Sequence, residues 1–248
     1  YPYADPITER AGTATNHPEK PTVKTIGGRR FVDFGAYEGQ VQQDWDNGVY
    51  SPSDAEISRY GKPAALKWSR ERKDITDVFY VFQDTQPSNT LAWAIGSNLG
   101  KSKDFARGDR GALFYWGSGG GVLTGRIAVD GVRMPYYWSD DFSQRPHVIS
   151  VSGSCALAAG AFAIYGDWVQ GPPLRSVGGT RLGEVLVYTN KLTAAEIARV
   201  ERYLVEKWVE PENRPASDLE TLAYETTALN TKLAVNGAGE FAVRDVRF

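Results

Sequence analysis

The sequence predicts an all-β domain, a two-sheet antiparallel sandwich with one short C-terminal amphipathic helix. Three observations predict it. Short apolar runs rich in β-branched and aromatic residues recur along the chain, bounded by turn residues at the spacing of sandwich strands. Strands do not alternate with long helical patterns, which argues against a parallel α/β sheet. One helical pattern stands apart near the end: Ile197, Val200, Leu204 and Trp208 follow at steps of three and four and share one face.

The elements follow in chain order. Residues 1–25 are polar, carry Pro2, Pro6, Pro18 and Pro21, and read as an extended lead-in with an edge strand near Thr22 to Ile26. Gly27-Gly28 is a turn, and Phe31 to Phe34 alternates as a half-buried strand does. Residues 36–63 read as a long polar connection. Strands are then expected at Ala64 to Trp68, Asp77 to Gln83, Leu91 to Ile95, Ala112 to Trp116, Arg126 to Val129, His147 to Gly153, Ala156 to Ile164 and Arg181 to Tyr188. Gly117-Ser118-Gly119-Gly120-Gly121 lacks the Lys-Ser/Thr and helix of a phosphate loop and reads as a hairpin tip. Asp130-Gly131 is a strong hairpin signal between Ile127-Ala128-Val129 and Val132-Arg133-Met134.

The helix has both of its ends written. Thr193 and Glu196 form a capping box, in which the hydroxyl takes one orphan backbone N–H and the Glu reaches back to another. Pro211 stops the helix soon after Trp208. Residues 211–218 are then a polar, proline-bearing linker. Lys232 to Val235 and Phe241 to Phe248, around Asn236-Gly237-Ala238-Gly239, read as a hairpin within 219–248. An isolated hairpin is marginal in water. It therefore either packs on the sandwich of residues 1–210 or, the reading preferred from sequence, begins a following β-rich domain.

The run GGTRLGEVLVYTNKLTAAEIARVERYLVEKW, Gly178 to Trp208, resembles the closing segment of bacterial concanavalin A-like lectin/glucanase domains, the laminin G-like jelly rolls. There a last core strand of the type GEVLVY leads into a helix of the type LTxxExxxVExYLxxKW. Weaker echoes lie at Gly28 to Gly35 and Asp74 to Phe82. The resemblance implies a jelly-roll arrangement of the two sheets over most of residues 20–210. It fixes fold better than function, because such sandwiches serve as lectins, enzymes and structural modules.

Composition excludes several roles. The 248 residues carry a net charge of −2 and no dense Lys/Arg block, so no partner among nucleic acids is expected. No stretch reaches the roughly 18 apolar residues of a spanning helix, so no membrane insertion is expected. The opening Tyr1-Pro2-Tyr3 has no leader pattern, and the N-terminus is expected to be a mature or cut end. The single cysteine, Cys155, cannot form an internal disulfide and reads as a small buried hydrophobe. Seven Trp and 13 Tyr suit an extracellular or cell-surface protein facing polysaccharide.

Catalytic patterns are missing. Glycosidases need two carboxylates about 5 to 9 Å apart. The Glu-x-Asp-x-x-Glu strand of the glucanases that the fold resembles has no counterpart here, and neither does a lyase-type Gln-x-His, since Arg145 stands two residues before His147. Glu184, alone on its strand, is expected to satisfy backbone or Arg181. Two histidines and one cysteine cannot close a zinc site. Calcium needs only oxygen ligands. Asp140, Asp141 and Asp167 are the candidate metal ligands, with Asp109 as a further one, and the resemblance also implies an edge calcium ion.

What remains is aromatic. Tyr136-Tyr137-Trp138 beside Asp140 and Asp141 joins sugar-stacking rings to hydroxyl-binding carboxylates. Asp167-Trp168 before Gly171-Pro172-Pro173 is a second loop of this kind, and Trp45 between Asp44 and Asp46 is a third. Trp68, Trp93 and Trp208 read as core. The expected function is a non-catalytic carbohydrate-binding module of a larger secreted or surface protein, with an oligo- or polysaccharide partner. The alternatives are an adhesion or spacer domain contacting a cell-surface protein, and a glycan hydrolase or lyase.

Overall fold

The computed structural model describes residues 20–37, 53–86, 93–96, 112–115, 120–167, 171–176 and 178–209, residues 105 and 118, and the strand segments 4–6, 231–235 and 241–244. In the order of the chain they form β1 (Ala4–Pro6), β2 (Thr22–Ile26), β3 (Arg29–Asp33), α1 (Asp54–Tyr60), β4 (Leu66–Asp84), β5 (Trp93–Gly96), α2 (Gly120–Leu123), β6 (Arg126–Val129) and β7 (Val132–Arg133). There follow β8 (His147–Asp167), β9 (Gly171–Ser176), β10 (Thr180–Tyr188), α3 (Ala194–Trp208), β11 (Thr231–Val235) and β12 (Phe241–Arg244). The protein is mostly β, and its strands form one connected antiparallel sheet ordered β12-β11-β10-β4-β8-β6-β7. β1 joins at β4, β3 at β10, and β5 and β9 at β8. No described helix is long and apolar enough to cross a membrane.

The centre of this sheet is buried on both faces. Residues of a strand alternate sides. Phe79 and Val81 of β4 face one way with Val148, Leu186 and Tyr188, while Val78, Tyr80 and Phe82 face the other with Ile149, Val151, Val185 and Val187. The pairing registers Tyr80↔Ile149 and Val185↔Tyr80 line these rows up across three strands. Helix α3 covers the first face with Ile197, Val200, Leu204 and Trp208, the four residues of the sequence pattern. The capping box of Thr193 and Glu196 forms as the spacing predicts. Trp208 meets Phe31 edge-on, with ring centroids 5.0 Å apart. Phe105, Leu113, Phe114, Val122 and Phe142 close the second face.

The turns obey local chemistry. Asp130 and Gly131 have φ 51° and 80°, the left-handed pair that a two-residue hairpin turn requires. Gly178, at φ 58°, crosses so close to the chain that a Cβ there would lie 2.1 Å from the Ala36 carbonyl oxygen. Around it, Phe34 N donates to Thr180 O (3.0 Å) and Gly179 N to Gly35 O (3.1 Å), which seals this corner of the sheet.

Several expectations change. Leu66 to Trp68 of the first expected strand and Asp77 to Gln83 are parts of one strand, β4, whose pairing with β8 shifts register between Lys67 and Asp77. His147 to Gly153 and Ala156 to Ile164 likewise merge into β8. Tyr165 and Asp167 are strand residues paired with Arg175 and Gly171, so the Gly-Pro-Pro segment belongs to β9 instead of a loop. The connection 36–63 contains helix α1, closed by a second capping box, Ser53 with Glu56. Gly120 and Gly121 open α2. Of the Ala112 to Trp116 strand, the described part is a single bridge, Ala112↔Ser139. Cys155 is exposed, because β8 breaks register beside it. β11 pairs with β10 at Val185↔Leu233 and with β12 at Leu233↔Val243.

Helix α3 is also anchored by charge. Glu201, buried on its inner side, receives Arg126 of β6 through both guanidinium nitrogens, Nη2 at 2.9 Å, and the Ser150 hydroxyl of β8. Removing one partner of a buried pair leaves the other charge uncompensated. Glu201→Ala should therefore lower unfolding free energy by about 3 kcal/mol. Arg126→Met/Glu201→Leu should recover most of it, both read by urea denaturation. Equal losses in single and double variants would mean that the pair itself is not what holds the helix.

Candidate binding site

The segment between β7 and β8 carries five of the proposed ligand residues and is built on backbone hydrogen bonds. Met134 N donates to Ile127 O (3.1 Å), and Trp138 N to Pro135 O (3.0 Å), which turns the chain. Phe114 N then donates to Tyr136 O (2.9 Å) and Leu113 N to Trp138 O (2.8 Å). Residues 136 and 138 thus bond to the 112–114 segment, and Tyr137 falls between them.

This alternation sorts the three rings. Tyr136 and Trp138 pack against the core cluster. Trp138 stands edge-on to buried Phe142 at 5.5 Å and 81°, and Phe142 rests in turn against Phe82 and His147. Tyr137 is 66% exposed, with its ring perpendicular to Tyr136 (5.3 Å, 85°). Val132, on the neighbouring hairpin, is 58% exposed.

The two carboxylates of the loop have different duties. Asp141 is a turn former: its Oδ1 accepts from Ser143 N (3.0 Å) and the Ser143 hydroxyl, and its Oδ2 from Gln144 Nε2 (2.7 Å). The Ser143 and Gln144 hydrogen bonds hold its carboxyl below the ordinary carboxylate range. Asp140 is exposed and accepts only the Asp141 N–H (2.8 Å) among the described contacts. Asp167 lies at the opposite end of β8 from His147, so its backbone does not join Asp140 and Asp141. Its side chain, Asp109, Trp168 and Trp45 lie outside the described residues. Among the described residues no three His, Cys, Asp or Glu side chains gather as a metal site.

Under the loop sits a charged seat that sequence reasoning did not find. Asp130 accepts from Val148 N (2.8 Å) and from His147 Nδ1 (3.0 Å), and pairs with Arg145 Nη2 (2.9 Å). An ionised carboxylate only accepts, so Nδ1 carries the proton. The only signal in the sequence was the hairpin: the register Val129↔Ile149 brings Asp130 to His147.

Four buried carboxylates elsewhere are neutralised. Asp33 holds Arg181 (2.7 Å) and Lys24 (3.2 Å), and Asp77 holds Lys191 (3.6 Å) and Leu192 N (3.0 Å). Glu201 holds Arg126. Glu184 pairs with Lys207 (2.8 Å) and Trp208 Nε1 (3.0 Å), and not with Arg181 as expected, because the break in register between Leu182 and Val185 turns it under the helix. Burial would lower the Lys207 ammonium, but Glu184 and Tyr203 together raise it above its ordinary value. Each pair ties two parts of the fold together.

Comparison of the chain with protein-family models, with curated proteins and with solved structures gives no match.

Burial would raise the Asp130 carboxyl, but the His147 and Val148 hydrogen bonds and the His147 and Arg145 charges hold it below its ordinary value. A carboxyl lowered in the folded state contributes stability above its unfolded pKa of about 3.9, and that contribution is lost as pH falls through the folded value. The stability gap between the wild type and Asp130→Asn should therefore be fully present above about pH 5 and shrink below about pH 4. Denaturation in urea from pH 2 to 7 measures it, and a gap constant with pH would show that the carboxylate charge contributes nothing.

Proposed function

We propose that this chain is a carbohydrate-binding module without catalytic activity, belonging to a secreted or cell-surface protein. The observation that carries the reading is the exposed Tyr137 ring, three residues before the exposed Asp140 on a loop whose other two rings pack against the core. A sugar stacks its C–H face on such a ring and gives hydroxyl hydrogen bonds to the carboxylate. In the finer fold reading, the sheet divides into the two layers of a concanavalin A-like jelly roll. The register shifts within β4, whose long strands could bend from one layer to the other, support that division, as does the apolar packing on both faces.

A second reading has its own observation. Val132, 58% exposed on the β6–β7 hairpin, offers aliphatic surface that sugars do not use, which favours a contact with protein in an adhesion role. A glycan and polysaccharide array, run with calcium and again with chelator, separates the two and also tests the proposed calcium. Tyr137→Ala should weaken binding to the best ligand by about 1 to 2 kcal/mol, roughly tenfold in Kd, with little loss of stability. Trp138→Ala should instead lower the melting temperature, since it empties a packed site. Silence of a folded sample across the array would move the reading to the protein contact.

A further inference from the structure

Resting on the carbohydrate reading, we infer that the loop recognises a single sugar residue, at a chain end or in a soluble chain, and not the flat face of an insoluble polysaccharide. Flat faces bind to several exposed rings lying in one plane. Here neighbouring rings stand at right angles: Tyr136 against Tyr137 at 85°, and Trp138 against Phe142 at 81°. Trp138 is held to the core by Phe142, so it cannot turn out to extend a platform without leaving its packing. Tyr137 thus offers one face, bordered by the perpendicular ring of Tyr136.

The polar half of the site points the same way. A carboxylate has about four acceptor positions. Asp141 spends three of them on Ser143 and Gln144, whereas Asp140 spends one, on the Asp141 N–H. Asp140 is therefore the acceptor for the sugar, and it selects residues that present hydroxyl donors over those that present carboxylate or sulfate. Among the described residues of this loop, one exposed ring and one carboxylate with open acceptor positions specify one residue.

The test pairs soluble competitors with insoluble polymers. Glucose, galactose, mannose, xylose, fucose and N-acetylglucosamine, with their disaccharides, compete against array-bound polysaccharide, while microcrystalline cellulose and chitin are used in pull-downs. The expected result is displacement by one monosaccharide with a Kd within roughly tenfold of its longer oligosaccharides, because contacts beyond one residue add little. Asp140→Asn should weaken that sugar roughly fivefold to tenfold at unchanged melting temperature, since it removes a charge-assisted hydrogen bond. Binding to cellulose or chitin with no soluble competitor would overturn the inference and leave the carbohydrate reading standing. Absence of binding to any sugar, soluble or insoluble, would overturn both.

Discussion

The burial of β4 on both faces is the constraint on which the rest depends. From Val78 to Phe82 no side chain of this strand reaches water, and its neighbours β8 and β10 are buried beside it. Each such apolar side chain contributes on the order of 1.5 to 3 kcal/mol when fully buried. A sheet with two apolar faces needs a cover on each. Helix α3 supplies one, and Phe105, Leu113, Phe114 and Phe142 supply the other. The aromatic loop is thus part of a cover, which explains why two of its three rings are spent on packing.

The helix that forms the first cover lies over a surface that is not wholly apolar. Arg126, Ser150, Ser152 and Asp77 sit beneath or beside it and are satisfied by Glu201, Lys191 and the backbone of Leu192. Burying such pairs contributes little net stability, since desolvation offsets the attraction. Their value is directional. Apolar contacts between Ile197, Val200, Leu204 and the sheet would tolerate a slide along the helix axis, whereas the two-pronged Arg126–Glu201 contact and the Glu184–Trp208 hydrogen bond fix both rotation and register.

Helix α3 and strand β10 were legible because their signals are local: a capping box, steps of three and four, and a bounded β-branched run. The ends of β4 and β8 were not. The charged stretch around Arg70, Glu71, Arg72, Lys73 and Asp74 reads as a break between strands, yet the pairing carries through it by shifting register, as Arg72↔Ala159 and Ile75↔Leu157 record. Glu184 and Asp130 were misjudged or missed for a related reason. Their partners Lys207 and His147 lie far along the chain and are brought in by register and helix docking, which no periodicity announces. The second capping box, at Ser53 and Glu56, was as readable as the first but lay inside a segment taken as loop for its polarity.

The aromatic loop shows where composition stops and geometry begins. Tyr136, Tyr137 and Trp138 are equivalent as a pattern, and the larger indole would be the natural choice for a sugar platform. Two backbone hydrogen bonds to Leu113 and Phe114 impose a strand-like alternation that sends Trp138 inward and Tyr137 outward. Trp138 then works from below: it rests on Phe142, which rests on His147, whose ring is oriented by Asp130. Tyr136 and Trp138 thereby fix the loop against the core, while Tyr137 keeps its exposure. The division of labour is between one exposed ring and the packed side chains of Trp138, Phe142 and His147 that hold its loop in place.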